Sequence, residues 1–210
     1  MLTYRIREGN SQDTLNPAFI LVHGYGSHAD DLFSFSPYLP KSHTIIALQA
    51  PLSIGFGGFA WYPLHFNTDG TLHSEVEDAW KAVDLIVKTV EELIHLHRLN
   101  PADISYLGFS QGAILGWALA FHHPKKIRRL IALSGFIHES VNIDLTPTFT
   151  AFASHGIKDE VISIELVRAS LNSVLTRYPD IEYHEYEEGH TVTQKNFTDL
   201  LLWIEKTKMG

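Results

Sequence analysis

A chain of 210 residues, 45% hydrophobic and 19% charged, carries enough apolar side chain for one buried core and suits a single domain over residues 1–210. Its net charge of −8, with Lys125, Lys126, Arg128 and Arg129 as the densest basic cluster, argues against nucleic-acid or anionic-membrane partners. The lack of cysteine excludes disulfides, thiolate metal sites and a cysteine nucleophile; with no apolar signal core near Met1 and no run of about 18 apolar residues, the expectation is a cytoplasmic protein without stable membrane insertion.

The first β-branched apolar run, Ala18–Val22, predicts a buried strand. It leads into His23-Gly24-Tyr25-Gly26, where the glycines allow a tight turn and His23 serves as a prop. Asp30 and Asp31, before Leu32 and Phe33, are read as caps of a short helix. Thr44–Leu48 predicts a second strand. From Leu52 to His73 no period is evident, and Gly55, Gly57 and Gly58 alternate with Phe56, Phe59, Trp61, Tyr62 and Phe66. A loop this long in a small domain is functional or disordered, and its aromatics argue against disorder.

Val76, Ala79, Val83, Ile86, Val90 and Leu93 recur at helical spacing and predict a helix from Glu75 to His97. Ser74 and Glu77 form a capping-box pattern at its start, and Asn100-Pro101 stops it. Ile104–Gly108 is the third strand. A helix over Gln111–His122 follows it, ended by Pro124. Ile127–Leu133 and Phe149–Ser154 are further strands, then comes a helix over Ile164–Tyr178. An alternating strand at 181–187 and a helix over Thr193–Lys206 complete the order. Strands alternating with helices predict an α/β fold with a mostly parallel central sheet and helices on both faces. Functional residues are then expected just beyond the carboxyl ends of strands.

One such end carries Gly108-Phe109-Ser110-Gln111-Gly112, a G-x-S-x-G motif between an apolar strand and a helix. That is the setting of a nucleophile elbow, which lifts a serine hydroxyl out of the sheet and aims a helix N-terminus at developing negative charge. Ser110 is therefore the candidate nucleophile. A serine needs a base. Of thirteen histidines, His190 follows the last strand run and Gly189, where the chain order Ser…Asp/Glu…His puts the base. Asp159, a few residues past the strand ending at Ser154, is the candidate acid, with Glu160 its neighbouring rival. The Gln111 N–H and an N–H of the loop after Val22, assigned to Tyr25, are the candidate oxyanion donors. The His95-x-His97 pair lacks further ligands at metal spacing, so no metal site is expected.

With these residues in place, the chain resembles the phospholipase/carboxylesterase family of α/β hydrolases, which includes acyl-protein thioesterases and small bacterial carboxylesterases. The matching stretches are His23-Gly-Tyr-Gly with Asp30-Asp31-Leu32, Gly108-Phe-Ser-Gln-Gly, His155-Gly-x-x-Asp159-x-Val161 and Gly189-His190. The resemblance implies a Ser110–His190–Asp159 triad, Tyr25 and Gln111 as oxyanion donors, and cofactor-free hydrolysis of an acyl ester or thioester. Gly57-Gly58-Phe-Ala-Trp61-Tyr62 looks more like the bacterial esterases of the family. The stretch from Phe136 to Pro147 leaves no room for a lid domain, so an open site is expected. Trp61, Phe59 and Phe56 are the candidate groove residues for a short to medium acyl chain. A lysophospholipase and a non-enzymatic ligand-binding member of the fold are the alternatives. Partners reduce to a small acyl substrate, and the chain could be a monomer or a homodimer.

Overall fold

Strand residues of alternating direction fill both faces of one sheet in a computed structural model, which describes residues 1–11, 13–66, 72–144 and 146–209. The stretches Leu52–His73 and Phe136–Pro147 thus each include positions outside the described residues (67–71 and 145), as does the expected domain at 12 and 210.

The chain opens with β1 (Tyr4–Arg7), β2 (Asn16–Val22), α1 (Ala29–Phe33) and β3 (Thr44–Leu48). Four short strands follow: β4 (Leu52–Gly55), β5 (Gly58–Ala60), β6 (His65–Phe66) and β7 (Leu72–His73). Then come α2 (Val76–Leu96), β8 (Leu99–Phe109), α3 (Gln111–His122) and β9 (Arg129–Leu133). The last elements are β10 (Thr150–Gly156), α4 (Ile164–Arg177), β11 (Ile181–Tyr186) and α5 (Gln194–Lys206).

Seven strands form the central sheet in the order β1-β3-β2-β8-β9-β10-β11. Among the described pairs of this sheet, only β1–β3 is antiparallel. Alternation along β2 shows how the layers form. Ala18, Ile20 and Val22 face the cluster built with α2, α3 and α4, whereas Phe19 and Leu21 face the one built with α1 and α5. The carboxyl ends of β2, β8, β9, β10 and β11 therefore share one edge. No described helix is long and apolar enough to cross a membrane.

Several expectations change in detail. Strand β1 comes from Tyr-Arg-Ile-Arg, whose charged residues conceal an edge strand set by pairing rather than by hydrophobicity. Asn100-Pro101 does not end the preceding helix: α2 stops at Leu96, Arg98 takes a φ of +53°, and β8 begins at Leu99, so both residues lie within the strand. The β2–β8 register shifts between Asn16 and Ala18, and that irregularity accommodates Pro101, which has no N–H to pair. The capping box at Ser74 is absent: Glu75 occupies the N-cap and no side chain caps the helix. Asp30 and Asp31 lie inside the first turn of α1, with His28 at the N-cap. Asp31 accepts from the Ser27 hydroxyl and Asp30 pairs with Arg5. The segment after Leu52 holds two small hairpins, β4–β5 and β6–β7, where no strand was expected.

Candidate active site

The strand-to-helix turn between β8 and α3 forces Ser110 to φ +54°, ψ −118°, a left-handed φ that a non-glycine residue adopts only under strong constraint. The constraint is visible on either side. A Cβ on Gly108 would strike the Gly112 carbonyl, and one on Gly112 would strike the Val22 carbonyl. Strand and helix approach too closely for any side chain there. The Ser110 N–H donates to the Leu133 carbonyl at 2.9 Å, which ties the elbow to the end of β9.

His190 lies beyond β11, in the turn before α5. Its Nε2 is 2.9 Å from Ser110 Oγ, and its Nδ1 donates to Asp159 Oδ2 at 2.7 Å. Asp159 lies beyond β10 with its side chain fully buried. The other carboxylate oxygen accepts from the N–H groups of Val161 at 2.8 Å and Ile162 at 2.9 Å. Burial pushes this carboxyl up and is the largest single influence. The Ile162 N–H, the His190 imidazole and the Val161 N–H together outweigh it and hold the group below its ordinary value. An ionised carboxylate is thus aimed at the far nitrogen of a histidine whose near nitrogen reaches a serine hydroxyl. Glu160, the rival at the sequence level, is exposed.

Gly24 brings the loop after β2 against the elbow, where a Cβ would stand 3.1 Å from that of Ser110. Among the described residues, neither the Tyr25 nor the Gln111 N–H donates to another backbone group. The Tyr25 side chain is partly exposed. His23 holds the loop from beneath. Its Nδ1 donates to the Gly24 carbonyl at 2.7 Å, while its Nε2 accepts from the Ala50 N–H at 3.2 Å. Burial lowers its pKa and keeps the ring neutral, as this pattern requires.

The three aromatics expected to line the groove divide. Trp61 is 3% exposed, and its Nε1 donates to the His23 carbonyl at 2.8 Å. Phe59 is half-buried, and its backbone pairs with Ser27 and Gly26. Phe56 projects wholly into solvent from the tip of the β4–β5 hairpin. A separate crevice of about 50 Å³ lies between the start of α2, α3 and the loop after β9, lined by Tyr62, Val76, Ala79, Ile114, Ala118 and Phe136 among others. It opens on a surface trench of about 560 Å³ with which it shares Phe136, His138 and Val141. Ile114 is one helical turn after Ser110, and Gly135, before Phe136, packs on the Ser110 carbonyl.

Three contributors are not evident from the linear sequence. The Gln111 side chain accepts from the Trp61 N–H at 3.0 Å and donates to the Tyr62 carbonyl at 2.9 Å, strapping the aromatic segment to the elbow. Buried Glu188 accepts from the Thr193 N–H at 3.0 Å and from Asn196 Nδ2 at 2.7 Å, fixing the turn that carries His190. His155 packs against Asp159. The sequence signals were an amide beside Ser110, a carboxylate two residues before His190, and the His155-Gly-x-x-Asp159 stretch, which sets the i,i+4 spacing without giving His155 a role.

Residues 6–208 match the sequence profile of the family described as Phospholipase/Carboxylesterase. Acyl-protein thioesterase 1 of Debaryomyces hansenii is 24% identical over 214 aligned positions, which cover 90% of each chain. The solved structure of esterase PE8 superposes with a TM-score of 0.87 at 23% identity, over 99% of each chain. The Bacillus cereus carboxylesterase superposes with a TM-score of 0.81 at 18% identity, over 98% of this chain and 94% of that one.

Proposed function

The chain belongs to the phospholipase/carboxylesterase family, and on that premise we propose that it is a serine hydrolase cleaving small carboxylic esters or thioesters at Ser110. The observation that supports this most is the continuous run from Ser110 Oγ through both nitrogens of His190 to Asp159, at 2.9 and 2.7 Å. In this reading Ser110 Oγ attacks the acyl carbon while its proton passes to His190 Nε2. Asp159 holds the imidazole in the productive tautomer and stabilises the imidazolium. The N–H groups of Tyr25 and Gln111 receive the oxyanion. His190 then gives its proton to the departing alkoxide or thiolate. Water, deprotonated by the same nitrogen, releases the acid and regenerates Ser110.

Substrate follows from the crevice beside the elbow. Its apolar lining takes the acyl chain, and its small size favours short to medium chains, since a methylene contributes about 0.8 kcal/mol only while it is covered. Trp61 acts in this reading through the loop it braces, Phe59 through its backbone pairing with Gly26 and Ser27 next to Tyr25, and Phe56, at the exposed hairpin tip, takes no part in acyl binding. Names of relatives include both a thioesterase and a carboxylesterase, and a crevice that holds the acyl chain does not distinguish an oxygen from a sulfur leaving group.

Labelling with a fluorophosphonate, followed by peptide mass mapping, tests the proposal directly. The expected adduct is on Ser110. Ser110→Ala is expected to lose both the label and all turnover of p-nitrophenyl esters while unfolding at the wild-type urea midpoint. Undiminished turnover in that variant would remove Ser110 from the mechanism.

A further inference from the structure

His155 is the penultimate residue of β10 and is wholly buried. Its Nε2 faces two oxygens, the Ile162 carbonyl at 2.9 Å and Asp159 Oδ2 at 3.3 Å. Both are acceptors, so Nε2 carries the proton and Nδ1 the lone pair. Nδ1 is buried and has no hydrogen-bond partner among the described residues. A buried polar atom left unmet costs about 1–3 kcal/mol. A leucine would remove that cost but would leave the Ile162 carbonyl without the donor it has at 2.9 Å, so the unmet Nδ1 offsets much of what the Nε2 bond contributes to folding.

What the ring does touch is the oxygen that matters. Oδ2 of Asp159 holds His190 Nδ1 at 2.7 Å, while Oδ1 is already occupied by two backbone N–H groups. We infer that His155 is a positioning residue for the acid–base pair: its Nε2–H donates to the Ile162 carbonyl and stands 3.3 Å from Asp159 Oδ2, where the positive edge of the ring steadies the carboxylate and draws part of its charge away from His190. The inference rests on the roles given above to Ser110, His190 and Asp159. Its consequence is electrostatic. A carboxylate that also faces the His155 N–H edge at Oδ2 is a weaker partner for an imidazolium, so replacing His155 should strengthen the hold of Asp159 on a protonated His190.

Other ionisable groups also face this region. Glu185 of β11 lies opposite His155 in the sheet register and is held by Arg168 of α4 at 2.6 and 2.8 Å. Glu188 precedes the His190 turn, and Glu160 and the Lys158–Glu187 pair lie on the outer turn. Of these, Glu185 feels His155 directly, and its ion pair with Arg168 holds it ionised in either variant.

The test compares His155→Leu, which removes the donor, with His155→Gln, whose amide N–H reaches the Nε2 position. In the leucine variant kcat/KM should fall about tenfold at unchanged KM, and its acid limb should move up by about half a pH unit. The glutamine variant should restore both. An acid limb that stays in place or moves down in His155→Leu would show a purely structural role and overturn the inference, as would failure of glutamine to rescue. If the leucine variant does not fold, His155→Asn, whose shorter amide cannot reach Nε2, takes its place with the same expected shift. The His190 ring resonances followed by NMR against pH in a Ser110→Ala background report the same displacement without turnover. A failure of Ser110 labelling would therefore refute the proposed activity while leaving the role of His155 separately decided.

Discussion

Two glycines near the base illustrate what single residues do here. Gly189 adjoins His190 and looks indispensable in sequence, yet a Cβ there would meet only the Lys158 carbonyl, at 3.7 Å. Gly156 is 34 positions from His190, yet a Cβ there would collide with the carbonyls of Glu188 and Gly189, backbone atoms that cannot yield alone. Gly156→Ala should therefore push the turn carrying His190 away from Ser110 and lower kcat/KM by about 10²-fold, the order expected from a displacement near 1 Å. Gly189→Ala should retain activity within a few-fold. Steady-state kinetics on the two purified variants decides between them, and equal effects would contradict the packing argument.

The same contrast explains how much of the site could be read from the chain. Ser110, Asp159 and His190 each follow a hydrophobic run and occur in a recognisable order, both one-dimensional properties, and the structure brings the three together. Gln111 and Glu188 reach partners 50 and 8 positions away, and His155 interacts with a carboxylate across a turn. No local pattern encodes those contacts, because they depend on which loops lie side by side after the sheet has formed.

At the scale of elements, buried parallel strands were legible because both faces demand apolar side chains, as in β2, β3 and β9. The hairpins after Leu52 were not. All four residues of β4 are exposed, so no burial period marks them, and glycines at positive φ (Gly55, Gly57) with Phe56 between them make the turn. The crevice was equally hidden, since it forms where α2 and α3 diverge around the loop after β9. Ala79, half-buried on α2, lines it. Ala79→Phe should fill the space and shorten the preferred acyl chain. Turnover of acetate esters should hold steady, while kcat/KM for longer esters falls about fourfold per excluded methylene. A chain-length series of p-nitrophenyl esters measures this, and an unchanged profile would move the acyl site elsewhere.

Considered as a whole, the molecule separates function from a buried charge at opposite edges of one sheet. Arg129 begins β9 at the amino end, fully buried. Its guanidinium donates to Ser105 Oγ at 2.8 Å, to the Ile204 carbonyl at 3.2 Å and to His43 Nε2 at 3.1 Å, and lies over the Phe19 ring. To accept from Arg129, His43 must be neutral. Burial, and then the adjacent Arg129 charge, lowers its pKa to about 4. Unfolded, the same imidazole binds a proton near 6.5. Between those values the unfolded chain holds the extra proton, so stability is complete above about pH 6.5 and declines as pH falls toward 4, by at most about 3 kcal/mol from this residue. Urea midpoints measured across that range should drop, and His43→Gln should flatten the slope. A slope unaltered by the substitution would assign the effect to other groups.

The sheet order has a temporal counterpart. Ser110 stands at the end of β8, whereas Asp159 and His190 stand beyond β10 and β11, and β9 intervenes. Each parallel neighbour must be reached by a long crossover, so these pairings close slowly. The portion of the sheet up to β9 holds Ser110 and both strands of the elbow, but neither the candidate base nor the candidate acid. The contact between Ser110 and His190 therefore depends on every parallel pairing from β8 to β11, and a fault in any one of them separates the two side chains.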